Sequence, residues 1–305
     1  MFKKLSFFTV GIFVLALVFF FTNTTCLSAE KKRKKRKRNI PQPTKKVIYK
    51  TIGDVKLRIH IFEPTGHKSS DKRPVIVFFF GGGWVGGSPS QFYPQCAYLA
   101  SRGMVAMSAE YRVKKRHKTT PFECVKDGKS AIRWVRNHAT KLGIDPNKVA
   151  AGGGSAGGHV AAAVGTVTGL NEDGEATSTS CVPNALVLFN PVYDNGPGGW
   201  GYRQVKDRYK EISPMHNIRK GMPPTITFLG TNDRLIPVAT AKKFQQKMRD
   251  VGSKSELKLY EGAGHGFFNF GRGGGNAYRK TTKQMDEFLI ALGFLEGKPT
   301  IRNDD

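Results

Sequence analysis

Apolar and polar positions along the chain follow two periods. Val75–Phe80 is a continuous apolar run, the pattern of a strand covered on both faces. Shorter apolar runs bounded by Gly, Pro, Asn or Asp recur, and stretches with apolar residues at helical spacing separate them. The pattern predicts strands near residues 47–51, 55–62, 75–80, 104–109, 148–152, 185–190, 225–229 and 256–260. It predicts helices near 90–102, 122–142, 156–169, 238–251 and 279–292. Strand and helix alternate from Val75 to Leu292, with no internal repeat. That order predicts an α/β fold with a mostly parallel eight-stranded sheet and helices on both faces.

One turn in this pattern carries chemistry. Gly153-Gly154-Ser155-Ala156-Gly157 lies between the short apolar strand Lys148–Ala151 and an Ala-rich helix. A G-x-S-x-G sequence at a strand-to-helix junction makes a sharp elbow that lifts the serine hydroxyl above the sheet edge. A serine nucleophile needs a base, and the base an orienting acid. Asp233 follows the strand Thr225–Leu229, and His265 follows Glu256–Tyr260 between Gly264 and Gly266. Both therefore arrive at the carboxyl edge of the sheet, where open α/β sheets bind ligands. Their order is Ser, Asp, His. Asp194, after the strand Ala185–Phe189, and Asp207 are rival acids. His159, four residues after Ser155, reads as a packing residue rather than a second base.

The same chemistry needs donors for an oxyanion. Gly81-Gly82-Gly83-Trp84 follows directly on Val75–Phe80, and the expected donors are the N–H groups of Gly82, Gly83 and Ala156. Trp84, Phe267 and Phe268 are substrate-pocket candidates; the Phe residues past His265 either line an acyl pocket or fill the core under the loop. Between Asn190 and Pro223 there is little periodicity, and the segment is short for a lid.

Phe80–Trp84, Ala109-Glu110-Tyr111-Arg112, Gly153–Gly157, the Asp233 turn and Gly264-His265-Gly266 together resemble the α/β-hydrolase superfamily. Within it they are similar to the hormone-sensitive-lipase and acetyl-esterase branch, including secreted acetyl-xylan and feruloyl esterases. The resemblance runs from about Val47 to about Leu295. It implies the α/β-hydrolase fold with a minimal cap, a serine carboxylesterase mechanism without a cofactor, and a short-acyl ester substrate, acetyl on carbohydrate. The chain departs from the pattern at Phe80, where the family usually has a histidine that helps hold the oxyanion loop. A serine peptidase of the same fold is the rival enzyme. A non-catalytic binding protein using the fold and its basic surface is the rival of another class.

Charge changes the picture most at the N-terminus. Lys3-Lys4 precedes an apolar run from Leu5 to Phe21, and Leu27-Ser28-Ala29 is a passable cleavage site. Residues 1–29 read as a signal peptide for export, or as a retained membrane anchor through Leu5 to Phe21. Residues 30–46 read as a basic linker holding the eight consecutive cations Lys31 to Arg38, a contact for an anionic surface. The catalytic domain is expected over 47–295 and a tail over 296–305. Of the net charge of +26, Lys3, Lys4 and the net seven positive charges of 30–38 account for nine, leaving +17 for residues 39–305. No zinc-finger spacing, ribonucleoprotein motif or basic recognition helix accompanies that charge, which argues against nucleic acid. Lys114-Lys115-Arg116-His117-Lys118, after a strand, reads either as a solvated loop or as a feature attracting an acylated or acidic polysaccharide. Cys96, Cys124 and Cys181 allow one disulfide with a thiol left over, or three free thiols. No cluster has metal-ligand spacing.

Overall fold

A computed structural model of the 305-residue chain describes residues 40–301. The expectations for the leader and for Lys31–Arg38 fall outside the described residues. The strands are β1 (Lys45–Ile52), β2 (Val55–Phe62), β3 (Arg73–Phe79), β4 (Val105–Ala109), β5 (Ile144–Gly154), β6 (Ala185–Phe189), β7 (Thr225–Gly230) and β8 (Ser255–Tyr260). The helices are α1 (Tyr93–Ser101), α2 (Lys114–His117), α3 (Pro121–Asn137), α4 (Ala139–Leu142), α5 (Ala156–Thr166), α6 (Tyr202–Val205), α7 (Val238–Asp250) and α8 (Asn276–Ala291).

The strands form one eight-stranded sheet in the order β1-β2-β4-β3-β5-β6-β7-β8. β2 pairs antiparallel with β1 and β4, and every other pairing is parallel. Side chains on a strand alternate between faces, so each central strand feeds two cores. Val75, Val77 and Phe79 of β3 belong to one core that also takes in Val160 and Val164 of α5 and Phe244 of α7. Ile76 and Phe78 of the same strand pack with Leu99 of α1 and Met285 and Leu289 of α8. Helices therefore cover both faces, and β3, β5 and β6 carry the apolar runs that this double burial requires.

Local signals explain where the helices differ from the pattern. The span expected as one helix over 122–142 is two, because His138 leaves helical geometry (φ −107°, ψ 15°) before α4, which ends on left-handed Gly143. α3 starts at Pro121 because Thr120 and Glu123 form a capping box, with the Thr120 N–H donating to Glu123 Oε2 at 2.7 Å. The basic run at 114–118 contains the short helix α2. β1 begins at Lys45, so the strand takes in two residues that the charge pattern assigns to the linker. Cys96, Cys124 and Cys181 are all free and buried, each behaving as a small core residue, which corrects the disulfide alternative. Among the described residues no helix is long and apolar enough to cross a membrane.

Candidate active site

β5 delivers Ser155 to the carboxyl edge of the sheet in a strained conformation, φ 54° and ψ −121°. Such backbone costs on the order of 1–3 kcal/mol and persists only where its surroundings fix it. Here the Ser155 N–H donates to Phe189 O of β6 at 2.9 Å, and the Ser155 carbonyl accepts from His159 N–H at 2.9 Å. Close approach dictates the flanking glycines: a Cβ on Gly153 would lie 2.3 Å from Gly157 O, and one on Gly157 would lie 2.1 Å from Phe79 O.

The loops that follow β7 and β8 meet this serine. Ser155 Oγ lies 2.9 Å from His265 Nε2, and His265 Nδ1 lies 2.8 Å from Asp233 Oδ2. The Asp233 side chain is fully buried, while His265 keeps 24 % exposure. Burial pushes the Asp233 carboxyl up. The hydrogen bonds from His265 and from the Ile236 and Leu235 amides outweigh it and hold the group below its ordinary value. Asp233 Oδ1 accepts from Leu235 N–H at 2.9 Å and Ile236 N–H at 3.0 Å, leaving Oδ2 for the imidazole. The rival acids are occupied elsewhere. Asp194 accepts from Gly196 N–H at 2.8 Å, Asp207 accepts from the Tyr202 hydroxyl at 3.1 Å, and neither reaches His265.

The loop after β3 runs through three left-handed residues, Gly82 (φ 130°), Gly83 (φ 64°) and Trp84 (φ 60°). Among the described residues the N–H groups of Gly82, Gly83 and Ala156 donate to no other group. Ala156 is also the first residue of α5, where unpaired amides and the helix dipole favour a negative charge.

Phe80 does not leave this loop loose. Its ring stacks on Tyr111 at 4.2 Å between centroids, and its carbonyl accepts from the Tyr111 hydroxyl at 2.5 Å. Gly81 N–H donates to Gln91 Oε1 at 2.6 Å. Gln91 Nε2 donates to Asn269 Oδ1 at 2.9 Å, and Asn269 Nδ2 to Gly266 O at 2.8 Å. A side-chain relay thus joins the oxyanion loop to the histidine loop. Asn190 adds a second brace: it is buried with φ 35°, accepts from Gly266 N–H at 3.0 Å, and holds its Nδ2 3.4 Å from His265 Nε2. Sequence reasoning missed Gln91, Asn190 and Asn269, and it named Tyr111 within a motif without its anchoring role. Only the position of Asn190 at the end of a strand pointed to it.

The expected pocket residues are corrected by the structure. Trp84, Phe267 and Phe268 are buried. Phe268 stacks on Phe189 at 4.6 Å and Phe92 at 5.7 Å, filling the core beneath the elbow. Phe267 packs on Tyr260 at 4.8 Å, and Trp84 lies against His159 and Trp200, 5.0 Å from each. Apolar surface of that size is worth more in the core than at an open rim. The cleft beside the site, about 730 Å³, is lined instead by Trp200, Tyr202, Arg203, Leu235 and Ile236 among others. Trp200 reaches the oxyanion loop, since its Cη2 would lie 3.4 Å from a Cβ on Gly83. His159 is a packing residue: it is fully buried, its Nε2 lies 3.0 Å from Ile212 O, and burial pushes its pKa down to about 4. Among the described residues no group of His, Cys, Asp or Glu could hold a metal ion.

Comparison with known proteins points the same way. The family model described as BD-FAE matches residues 59–190, and that of the dienelactone hydrolase family matches 198–290. The esterase LipC of Mycobacterium tuberculosis is 32% identical over 223 residues, 64% of this chain and 53% of that protein. An isoprenylcysteine α-carbonyl methylesterase of Arabidopsis thaliana is 26% identical over 68% of this chain and 53% of its own length. The chain thus spans about half the length of these curated relatives. The apo form of Thermogutta terrifontis esterase 2 is 48% identical, with a TM-score of 0.82, covering 85% of this chain and 98% of that one. The chain belongs to the α/β-hydrolase superfamily, and the relatives named here are esterases.

Proposed function

We propose that the protein is a serine carboxylesterase of short-acyl esters, acetyl on carbohydrate foremost, acting through Ser155, His265 and Asp233. The continuous hydrogen-bonded path from Ser155 Oγ through both His265 nitrogens to Asp233 carries this reading. Ser155 Oγ attacks the ester carbonyl while His265 Nε2 takes its proton. Asp233 keeps the other proton on Nδ1 and stabilises the imidazolium. The N–H groups of Gly82, Gly83 and Ala156 receive the oxyanion, each such donor being worth about 2.7–4 kcal/mol in the transition state. His265 returns the proton to the leaving alcohol, and water, deprotonated by the same nitrogen, then releases the acid from the acyl-enzyme. No step calls for a cofactor.

The short-acyl preference draws support from related structures of Thermogutta terrifontis esterase 2 with propionate or butyrate bound. The open cleft with Trp200 and Tyr202 on its wall suits a bulky sugar alcohol, because aromatic faces pack on sugar rings. An exported enzyme, as the leader reads, would meet such esters outside the cell. The test is a p-nitrophenyl ester series from acetate to decanoate, with acetylated xylan alongside, on wild type and Ser155→Ala. Ser155-dependent turnover falling with chain length, with acetate released from xylan, is expected. Fast dipeptide release beside slow ester hydrolysis would move the assignment to a peptidase. Ligand binding untouched by Ser155→Ala, with no turnover of any ester, would favour the non-catalytic reading.

A further inference from the structure

Several basic groups of the domain are held by internal partners. Arg136 donates to Pro146 O, Ser180 O and Asn184 Oδ1. Arg133 pairs with Glu175 at 3.0 Å, and Arg112 with Asp127 at 2.8 Å. A concave cluster of cations contrasts with these ion pairs. Lys56 and Arg58 stand two apart on β2 and so share the face opposite Leu57 and Ile59, which are buried. With Arg116 and His117 of α2 they line a cleft of about 400 Å³. Gly87 and Ser88, on the loop that carries Gly82 and Gly83, also line it.

Among the described residues Lys56, Arg58 and Arg116 form no ion pair. The carboxylate in the lining, Glu110, has one oxygen on the Arg58 backbone N–H at 2.9 Å and the other 3.5 Å from His60 Nε2. The lining thus sets three permanent cations, Lys56, Arg58 and Arg116, against the single carboxylate of Glu110, and a concave space with this excess of positive charge attracts an anion. The cleft is also tied to the active site. Arg116 Nη1 donates to Gly87 O at 3.0 Å, and the N–H groups of Lys114 and Lys115 donate to Trp84 O and Val85 O, each at 3.0 Å. The basic turn is stapled to the oxyanion loop along its length.

We propose that this cleft is an anion-binding subsite, taking a carboxylate or sulfate group carried by an acidic glycan whose ester is presented to Ser155. The assignment of the glycan rests on the carboxylesterase reading; the anion site does not. Binding is measured by calorimetry on the full chain carrying Ser155→Ala, so that no turnover intervenes, with trigalacturonate, neutral xylotriose and inorganic phosphate as probes. Saturable binding of trigalacturonate but not xylotriose is expected, weakened at least tenfold by Lys56→Gln with Arg58→Gln and weakened again by raised salt. A melting curve confirms that this exposed double variant is folded. Phosphate binding at these residues without trigalacturonate binding would overturn the glycan as the source of the anion. No saturable binding of either anion, or binding that survives the double substitution, would overturn the site. The carboxylesterase reading would stand in both cases, since it fails only if Ser155-dependent ester turnover is missing.

Discussion

Replacing Asp233 by Asn tests how the base is oriented. In the wild type Oδ1 accepts the Leu235 and Ile236 amides and Oδ2 accepts the His265 Nδ1 proton. An asparagine has one acceptor oxygen. Two fixed amide donors on one side hold that oxygen there, so the side-chain NH2 faces His265. The imidazole then turns to the tautomer with Nδ1 as acceptor and the proton on Nε2, the atom 2.9 Å from Ser155 Oγ. A protonated Nε2 cannot take the serine proton. In triads of this kind the change lowers kcat by about 10⁴, which at 1.36 kcal/mol per decade is about 5.4 kcal/mol of transition-state stabilisation. Shape and the two amide hydrogen bonds are retained, so unfolding should stay cooperative with little loss of stability. The assay is kcat on p-nitrophenyl acetate together with a urea unfolding curve. A kcat within tenfold of wild type, from a cooperatively folded variant, would refute the orienting role and return the acid assignment to Asp194.

Other perturbations separate the parts of the account. Gln91→Leu leaves Gly81 N–H and Asn269 Oδ1 without their partner, so kcat should fall about 10- to 100-fold with KM little changed; wild-type kinetics would show that Tyr111 alone anchors the loop. Gly157→Ala places a Cβ 2.1 Å from Phe79 O, a backbone atom that cannot turn away, and should abolish soluble, cooperatively unfolding protein. His159 is buried neutral with a pKa near 4, against 6.5 for an ordinary histidine. The unfolded chain therefore binds the extra proton between those values, and stability falls as pH drops from about 6.5 to about 4, by about 3 kcal/mol in all. His159→Gln should flatten that slope in urea titrations at successive pH values, and an unchanged slope would assign it to other groups.

Much of the fold was legible because its signals are local. Double-faced burial writes β3, β5 and β6 as apolar runs, and strand–helix alternation fixes a parallel sheet once its crossovers are right-handed. Ser155, Asp233 and His265 were legible because each follows a strand and so falls on one edge. What brings them together, and what holds the oxyanion loop, was not. Gln91 sits 10 residues from Gly81 but 178 from Asn269, and a polar side chain in a surface helix pattern carries no mark of such a link. Trp84, Phe267 and Phe268 misled for the converse reason. Their place next to the chemistry suggested a pocket wall, whereas their size places them in the core, and the wall is drawn from Trp200 and Tyr202 in a segment without periodicity.

The central claim is that Ser155 is the nucleophile, and a covalent label tests it most directly. Related structures show Thermogutta terrifontis esterase 2 phosphorylated by paraoxon. Paraoxon-treated protein, digested and analysed by mass spectrometry, should carry one diethylphosphoryl group, on the peptide containing Ser155. Ester turnover should be lost in step with its incorporation, and Ser155→Ala should take up no label and turn over no ester. A label on another residue, or p-nitrophenyl acetate hydrolysis that persists in Ser155→Ala, would contradict the account.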